Sequence, residues 1–84
     1  MYSVGKSKQV DEQITALPAE ALGAFHEVTV FLQVAPWSGN PFVRERPDAP
    51  MRTQTFGDGG SGMVTYLIVE YRRLVEIIHV AWYG

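Results

Sequence analysis

Two stretches in the second half of the chain are apolar at most positions, and this feature restricts the fold more than any other. In residues 63–70, the side chains on either face of an extended strand are largely apolar: Val64, Tyr66 and Ile68 on one face, Thr65, Leu67 and Val69 on the other. Leu74–Trp82 shows the same character. Because such strands are stable only when both of their faces are covered, the fold must supply two covers or leave one face for a partner.

The length of the chain limits what can cover these strands. With 84 residues, there is room for one hydrophobic core, and we expect a single domain over residues 1–84. An apolar content of 46% excludes the composition of a disordered chain. No cysteine is present, so neither disulfides nor a Cys-containing zinc site is expected, and we predict no metal and no cofactor. The absence of a signal peptide or membrane-spanning run predicts a cytoplasmic protein.

Helical spacing dominates the first half. Val10, Ile14 and Leu17 recur at i, i+4 and i+7, which predicts a helix that starts after Ser7 and stops before Pro18. A second helix is predicted from Pro18 to Ala35, with a buried stripe of Ala21, Phe25, Val28, Leu32 and Ala35. Residues 28–34 also alternate as a strand would. We favour a helix, because residues 19–27 are strongly helical and no Gly or Pro separates the two stretches.

The second half predicts strands. Residues 36–50 contain four prolines and form an irregular connection, which Trp37 and Phe42 are expected to pin to the domain. Three strands follow, separated by a glycine-rich turn at 57–62 and a short turn at 71–73: Met51–Phe56, residues 63–70 and Leu74–Trp82. Residues 2–4 are a weaker candidate strand. The predicted fold class is α+β: an N-terminal helical hairpin packed on a small antiparallel sheet that ends in a three-stranded meander.

The order of these elements resembles the RelE/ParE-type toxins of bacterial type II toxin–antitoxin modules. The segments that carry the resemblance span most of the chain: Leu17-Pro18-Ala19-Glu20-Ala21, Ala35-Pro36-Trp37-Ser38-Gly39, Met51-Arg52, Phe56-Gly57, Val64-Thr65-Tyr66-Leu67-Ile68, Val75-Glu76-Ile77 and Val80-Ala81-Trp82. The resemblance implies a toxin that is neutralised by an antitoxin protein and that cleaves mRNA on the ribosome. The alternative is a non-catalytic interaction protein on the same scaffold, either an inhibitor that binds DNA gyrase or an inactive toxin homologue.

The candidate catalytic residues are Arg52, His79 and Tyr83. Cleavage of RNA by its own 2′-hydroxyl needs a base, an acid and cations that stabilise the charged phosphorane. RNA-cleaving members of the family carry Lys and Arg on the meander, whereas here the first meander strand offers only Arg52 and the glycine turn contains Asp58. The alternative roles are structural: His79 as a half-buried strand residue and Tyr83 as an aromatic packed on the sheet.

The candidate RNA-binding residues are Arg44, Arg46 and Arg52. The whole chain carries a net charge of −2, so any attraction for phosphate must be local. Between residues 9 and 43 there are four acids and no Lys or Arg, whereas all five arginines fall in the second half. Glu45 and Asp48 leave open the alternative that the loop is internally neutralised.

The candidate partner-binding residues follow from the doubly apolar strands. Two helices have area for only one face of the meander, so we predict a hydrophobic groove on the other face, lined by Val64, Tyr66, Ile68, Val75 and Ile77. An antitoxin segment is expected to dock there, or a second copy to pair when the antitoxin is absent. The connection over residues 36–50 is the alternative cover.

Overall fold

The computed structural model describes all 84 residues. Its helices are α1 (Lys8–Thr15) and α2 (Ala19–Val34). Five strands accompany them: β1 (Ser3–Lys6), β2 (Asn40–Pro41), β3 (Met51–Phe56), β4 (Gly62–Val69) and β5 (Leu74–Trp82). Single 3₁₀ turns lie at Pro36–Ser38, Asp58–Gly60 and Glu70–Arg72. No helix is both long enough and apolar enough to cross a membrane.

Both helices begin and end close to where the sequence predicts. The Ser7 hydroxyl accepts a hydrogen bond from the Val10 N–H at 3.2 Å and so caps α1. Pro18 directly precedes α2, and Ala35 ends it before Pro36. The β-branched run at residues 28–34 is helical, which confirms the choice of helix over strand. Packing against the sheet compensates for the small loss of helix propensity in this run.

The sheet differs from the prediction in its strand order. The three predicted strands do form antiparallel pairs, β3 with β4 and β4 with β5. However, the sheet has five strands in the order β1-β5-β4-β3-β2, and β1 pairs with β5 in parallel. The sheet is therefore mixed, not antiparallel, and the helices connect β1 to the rest of the sheet instead of preceding it. A parallel pair requires such a crossover connection.

Both helices pack on the same face of the sheet. Phe25, Val28 and Leu32 of α2 lie in one buried cluster with the inward-facing residues of β4 and β5. Helix α1 contacts β5, where the Val80 N–H donates to Gln13 Oε1 at 2.8 Å. Inward and outward side chains alternate strictly along β4, whose residues are buried and half-buried in turn. The fold therefore has two layers, and the helices leave the second face of the sheet uncovered.

The connection over residues 36–50 contains the 3₁₀ turn Pro36–Ser38 and the short strand β2. Trp37 fastens it as predicted, because its indole N–H donates to Glu70 Oε1 at 2.7 Å. Phe42 does not serve this purpose, since its side chain is 55% exposed. The carbonyls of Pro47 and Ala49 bind Arg52 on the helix-facing side of the sheet. These contacts hold this part of the connection at the edge of the sheet.

Candidate functional site

The five predicted partner-binding residues lie in the core of the domain. Val64, Tyr66, Ile68, Val75 and Ile77 are at most 4% exposed and pack beneath the helices. The prediction that they line an open groove is therefore wrong. The reasoning behind that prediction, that the helices leave one apolar face of the sheet uncovered, holds for the residues that alternate with these five along the strands. Alternate residues of a strand point to opposite faces. The sequence pattern gave two apolar faces and no means of telling which one the helices cover.

The uncovered face of the sheet carries a mainly apolar surface with three threonines, a histidine and a glutamate among its residues, here called the open sheet face. It consists of the outward-facing residues of β3, β4 and β5: Met51, Thr53, Thr55, Met63, Thr65, Leu67, Val69, Leu74, Glu76, Ile78, His79 and Ala81. Ile78 is 46% exposed. No Lys or Arg stands among these residues, and Glu76 is the one carboxylate. This surface suits contact with an apolar partner and provides no cation for phosphate.

A β-bulge in β5 changes what the open sheet face presents. Tyr66 pairs with Ile77 and Thr65 with His79, so Ile78 is the extra residue. Both Ile78 and His79 are exposed, in contrast to their buried neighbours Ile77 and Val80. A bulge of this kind re-aims side chains and is frequent near functional sites. The imidazole of His79 is consequently accessible from solvent on the open sheet face.

Arg52 does not belong to this surface. Its side chain is 7% exposed on the helix-facing side, opposite Tyr66. The guanidinium donates to the carbonyl of Gly39 from Nη2 at 2.7 Å and Nε at 3.2 Å, and from Nη1 to the carbonyls of Pro47 at 2.9 Å and Ala49 at 3.2 Å. The predicted catalytic and RNA-binding roles of Arg52 do not agree with this burial. Counting back in steps of two from the core residue Phe56 identifies Arg52 as inward-facing.

The other predicted catalytic and RNA-binding residues do not converge. His79 lies on the open sheet face, opposite the face that holds Arg52. Tyr83 follows β5 and is 75% exposed, and its N–H donates to the Ser61 carbonyl at 2.8 Å. Arg44 and Arg46 are exposed in the connection, and neither forms an ion pair. No group of three His, Cys, Asp or Glu side chains has a geometry that could hold a metal ion.

A network around Glu70 was not predicted from the sequence. Glu70 Oε1 accepts hydrogen bonds from the Tyr2 hydroxyl at 2.6 Å and from Trp37 Nε1 at 2.7 Å, while Arg73 Nη1 donates to Oε2 at 2.9 Å. These donors, the Tyr2 hydroxyl first, lower the pKa of Glu70 to about 2. The network ties the N-terminus, the connection and the β4–β5 turn together. Arg73 lies only three residues from Glu70, but Tyr2 and Trp37 are too distant in sequence for a local pattern to reveal their part in the network.

The chain resembles known proteins in its structure and not in its sequence. No family model matches the sequence, and no curated protein matches it either. The isolated E. coli RelE toxin superposes with a TM-score of 0.80 at 9% identity, over 100% of this chain and 86% of that chain. The intact E. coli RelBE toxin–antitoxin complex gives 0.75 at 11% identity, over 100% and 99%.

An archaeal structure shows the same likeness. The RelE–RelB complex from Pyrococcus horikoshii OT3 superposes with a TM-score of 0.67 at 21% identity, over 99% of this chain and 96% of that chain. The match to the isolated E. coli toxin covers the whole of this chain, so both helices and all five strands lie within the matched region. Sequence identities this low carry information about the fold alone. The chain has the fold of the RelE-type toxins.

Proposed function

We propose that this protein is the toxin component of a toxin–antitoxin pair and that it binds an antitoxin protein through the open sheet face. The observation that carries the proposal is the exposure of an apolar sheet face in a domain whose two helices both lie on the other side. Contiguous apolar surface of this kind is uncommon on monomers and marks a protein interface. Two of the matched structures, the E. coli RelBE and archaeal RelE–RelB complexes, contain an antitoxin or RelB partner.

The chemistry of the open sheet face favours binding over RNA cleavage. Stabilising a phosphorane requires cations directed at the reacting phosphate. The arginine of β3 is engaged with three backbone carbonyls, and the open face contributes a carboxylate and an imidazole instead. We therefore rank ribosome-dependent cleavage of mRNA second, with His79, Tyr83, Arg44 and Arg46 as its remaining candidates. We favour a non-catalytic action on the cell, such as inhibition of DNA gyrase.

Co-expression tests this proposal. The chain is produced alone and together with the product of the adjacent reading frame, and complex formation is measured by co-purification and by titration calorimetry. We expect a stable complex that relieves any growth arrest caused by the chain alone. We further propose that this protein acts in the cytoplasm, since its cysteine-free sequence suits a reducing compartment.

A matched pair of variants locates the interface. Ile78→Glu puts a charge on the open sheet face, and Val30→Glu puts the same charge on α2, where Val30 is 58% exposed. The first variant should weaken the complex at least tenfold, because a carboxylate would be buried without a partner, and the second should not. Equal affinity in both variants would exclude the open sheet face, and no binding to wild type would exclude the pairing itself.

A further inference from the structure

A second surface, which shares only Thr55 with the open sheet face, lies where α2 passes the end of β3. Its two adjoining depressions are each about 210 Å³ and share Ala24 and Gly57. One lies between α2 and β3, and the other lies between α2 and the glycine turn, beside Trp82. We call this surface the α2–β3 groove.

The backbone along this groove has an unpaired edge. Strand β2 pairs only with Arg52 and Thr53, so β3 has no neighbour on this side from residue 54 onward. The Met51 carbonyl accepts from the Phe42 N–H and therefore points toward β2. Successive residues of a strand direct their backbone N–H and C=O to opposite edges, so every second residue after Met51 points to this same edge. The N–H and C=O of Thr55 therefore point into the groove. The carbonyl has one weak contact, at 3.4 Å from Gln54 Nε2. An open strand edge is a template for an added strand.

The charge of the groove is of one sign. Glu20, Glu27 and Asp58 are exposed along it, and no Lys or Arg lines it. Their carboxylates form no ion pairs, since the two ion pairs of the domain are Lys6–Asp11 and Glu70–Arg73. The apolar floor is supplied by Phe31, Val28 and Trp82. An occupant that complements this surface carries positive charge beside apolar side chains.

The dimensions favour a peptide over a small molecule. Each depression is smaller than a typical small-molecule pocket of about 300–1,000 Å³. From Glu20 to Phe31 the helix rises roughly 16 Å at about 1.5 Å per residue, which matches about five residues of extended chain. We propose that the α2–β3 groove binds an extended, basic and apolar segment of the antitoxin, which pairs with the edge of β3 at Thr55. This inference rests on the proposed function, because the segment belongs to the partner proposed there.

Two peptides test the chemistry of the groove without the partner. A capped peptide of alternating lysine and valine and its glutamate counterpart are titrated into ¹⁵N-labelled protein. The lysine peptide should shift the amide resonances of Glu27 and Thr55 saturably, and the glutamate peptide should not. Shifts confined to other residues, or equal shifts with both peptides, would overturn the inference.

Charge variants complete the test. In E20Q/E27Q/D58N three carboxylates leave the groove, and in the control E12Q/E45Q/D48N the same charge is removed from exposed positions elsewhere. The first variant should bind the lysine peptide about tenfold more weakly, since each exposed charge contributes modestly, whereas the control should bind like wild type. Equal weakening would mean that net charge alone attracts the peptide, and the groove would lose its role.

Binding of the adjacent-frame product to wild type and to the groove variant distinguishes a failure of this inference from a failure of the proposed function. If the adjacent-frame product binds wild type and E20Q/E27Q/D58N equally well, the groove is not its binding site, while the toxin–antitoxin pairing stands. If that product fails to bind wild type but the lysine peptide still binds at Thr55, the proposed pairing fails and the groove retains its chemistry. A partner affinity that falls about tenfold in the groove variant alone supports both.

Discussion

Arg52 and Tyr66 lie opposite each other on β3 and β4, and their side chains hold the same segment of chain. The Tyr66 hydroxyl donates to the Pro36 carbonyl at 2.6 Å, and the Arg52 guanidinium donates to the Gly39 carbonyl at 2.7 Å. Burial raises the pKa of Tyr66 to about 12, so its phenol stays protonated and keeps donating at ordinary pH. Gly39 is required there, because a Cβ would collide with the Tyr66 hydroxyl. The pair fixes the exit of α2 against the sheet.

Replacement of Arg52 should therefore destabilise the fold. Arg52→Gln removes donors from three carbonyls, of which that of Gly39 accepts two hydrogen bonds in the buried interior, and we expect a loss of about 2–4 kcal/mol in the free energy of unfolding. The exposed Arg44→Gln serves as the control and should change stability by less than about 0.5 kcal/mol. Urea denaturation followed by circular dichroism measures both. Equal midpoints for the two variants would mean that Arg52 does not hold the connection.

Glu70 should make the stability of the domain sensitive to acid. Because the folded-state pKa of Glu70 is lowered from 4.5 to about 2, its contribution is present above pH 4.5 and is lost as pH falls toward 2. Glu70→Gln should flatten the decline of the unfolding free energy in this window. Glu45→Gln, in the exposed connection, is the control and should keep the wild-type slope. Denaturant midpoints measured between pH 2 and pH 5 for the three proteins decide the outcome.

Two glycines should respond to alanine in opposite directions. A Cβ on Gly62 would lie 2.5 Å from the Phe56 ring, so Gly62→Ala should cost about 1–3 kcal/mol through overpacking. At Gly23, on the exposed side of α2, nothing lies within 4 Å of the added Cβ. Gly23→Ala should stabilise the domain by about 0.4–1 kcal/mol. Thermal unfolding of the two variants compares the signs, and a stabilising Gly62→Ala would contradict the packing of Phe56 against β4.

The open sheet face should be detectable in the isolated protein. We expect the protein alone to bind a hydrophobic-probe dye or to self-associate, and partner binding to suppress both. Leu67→Thr combined with Ile78→Thr should reduce dye fluorescence and association, since threonine keeps the β-propensity and lowers the apolar area. Light scattering and dye titration measure the effect. A strictly monomeric wild type that binds no dye would show that this face is not available for docking.

The helices were predictable because their signals are local. The Ser7 cap, the spacing of Val10 and Ile14, and the two prolines act within a few residues of where each helix begins or ends. The three strands of the meander were also predictable, from apolar runs separated by turns. Strand β1 was harder to predict. It joins the sheet through pairing with the distant β5, and its Ser-Val-Gly-Lys sequence contains only one strongly apolar residue.

The candidate site was less predictable, because it depends on which face the helices choose. Alternation along β4 separates Tyr66 from Leu67, but it does not reveal which of them the helices bury. The bulge that exposes Ile78 and His79 together also has no local signature in this sequence. The burial of Arg52, in contrast, was predictable from the sequence. Arg52 lies four residues before the core residue Phe56 on the same strand, so both side chains point inward, and this position indicates a structural role.

The parallel pairing of β1 with β5 determines when the domain can fold during synthesis. Ser3 pairs with Leu74 and Lys6 with Ile77, so the first strand has no neighbour until the last one has left the ribosome. Until then α1 and α2 emerge with their apolar stripes uncovered, and such long-range pairing is slow to form. A nascent chain therefore cannot complete its sheet before residues 74–77 have emerged.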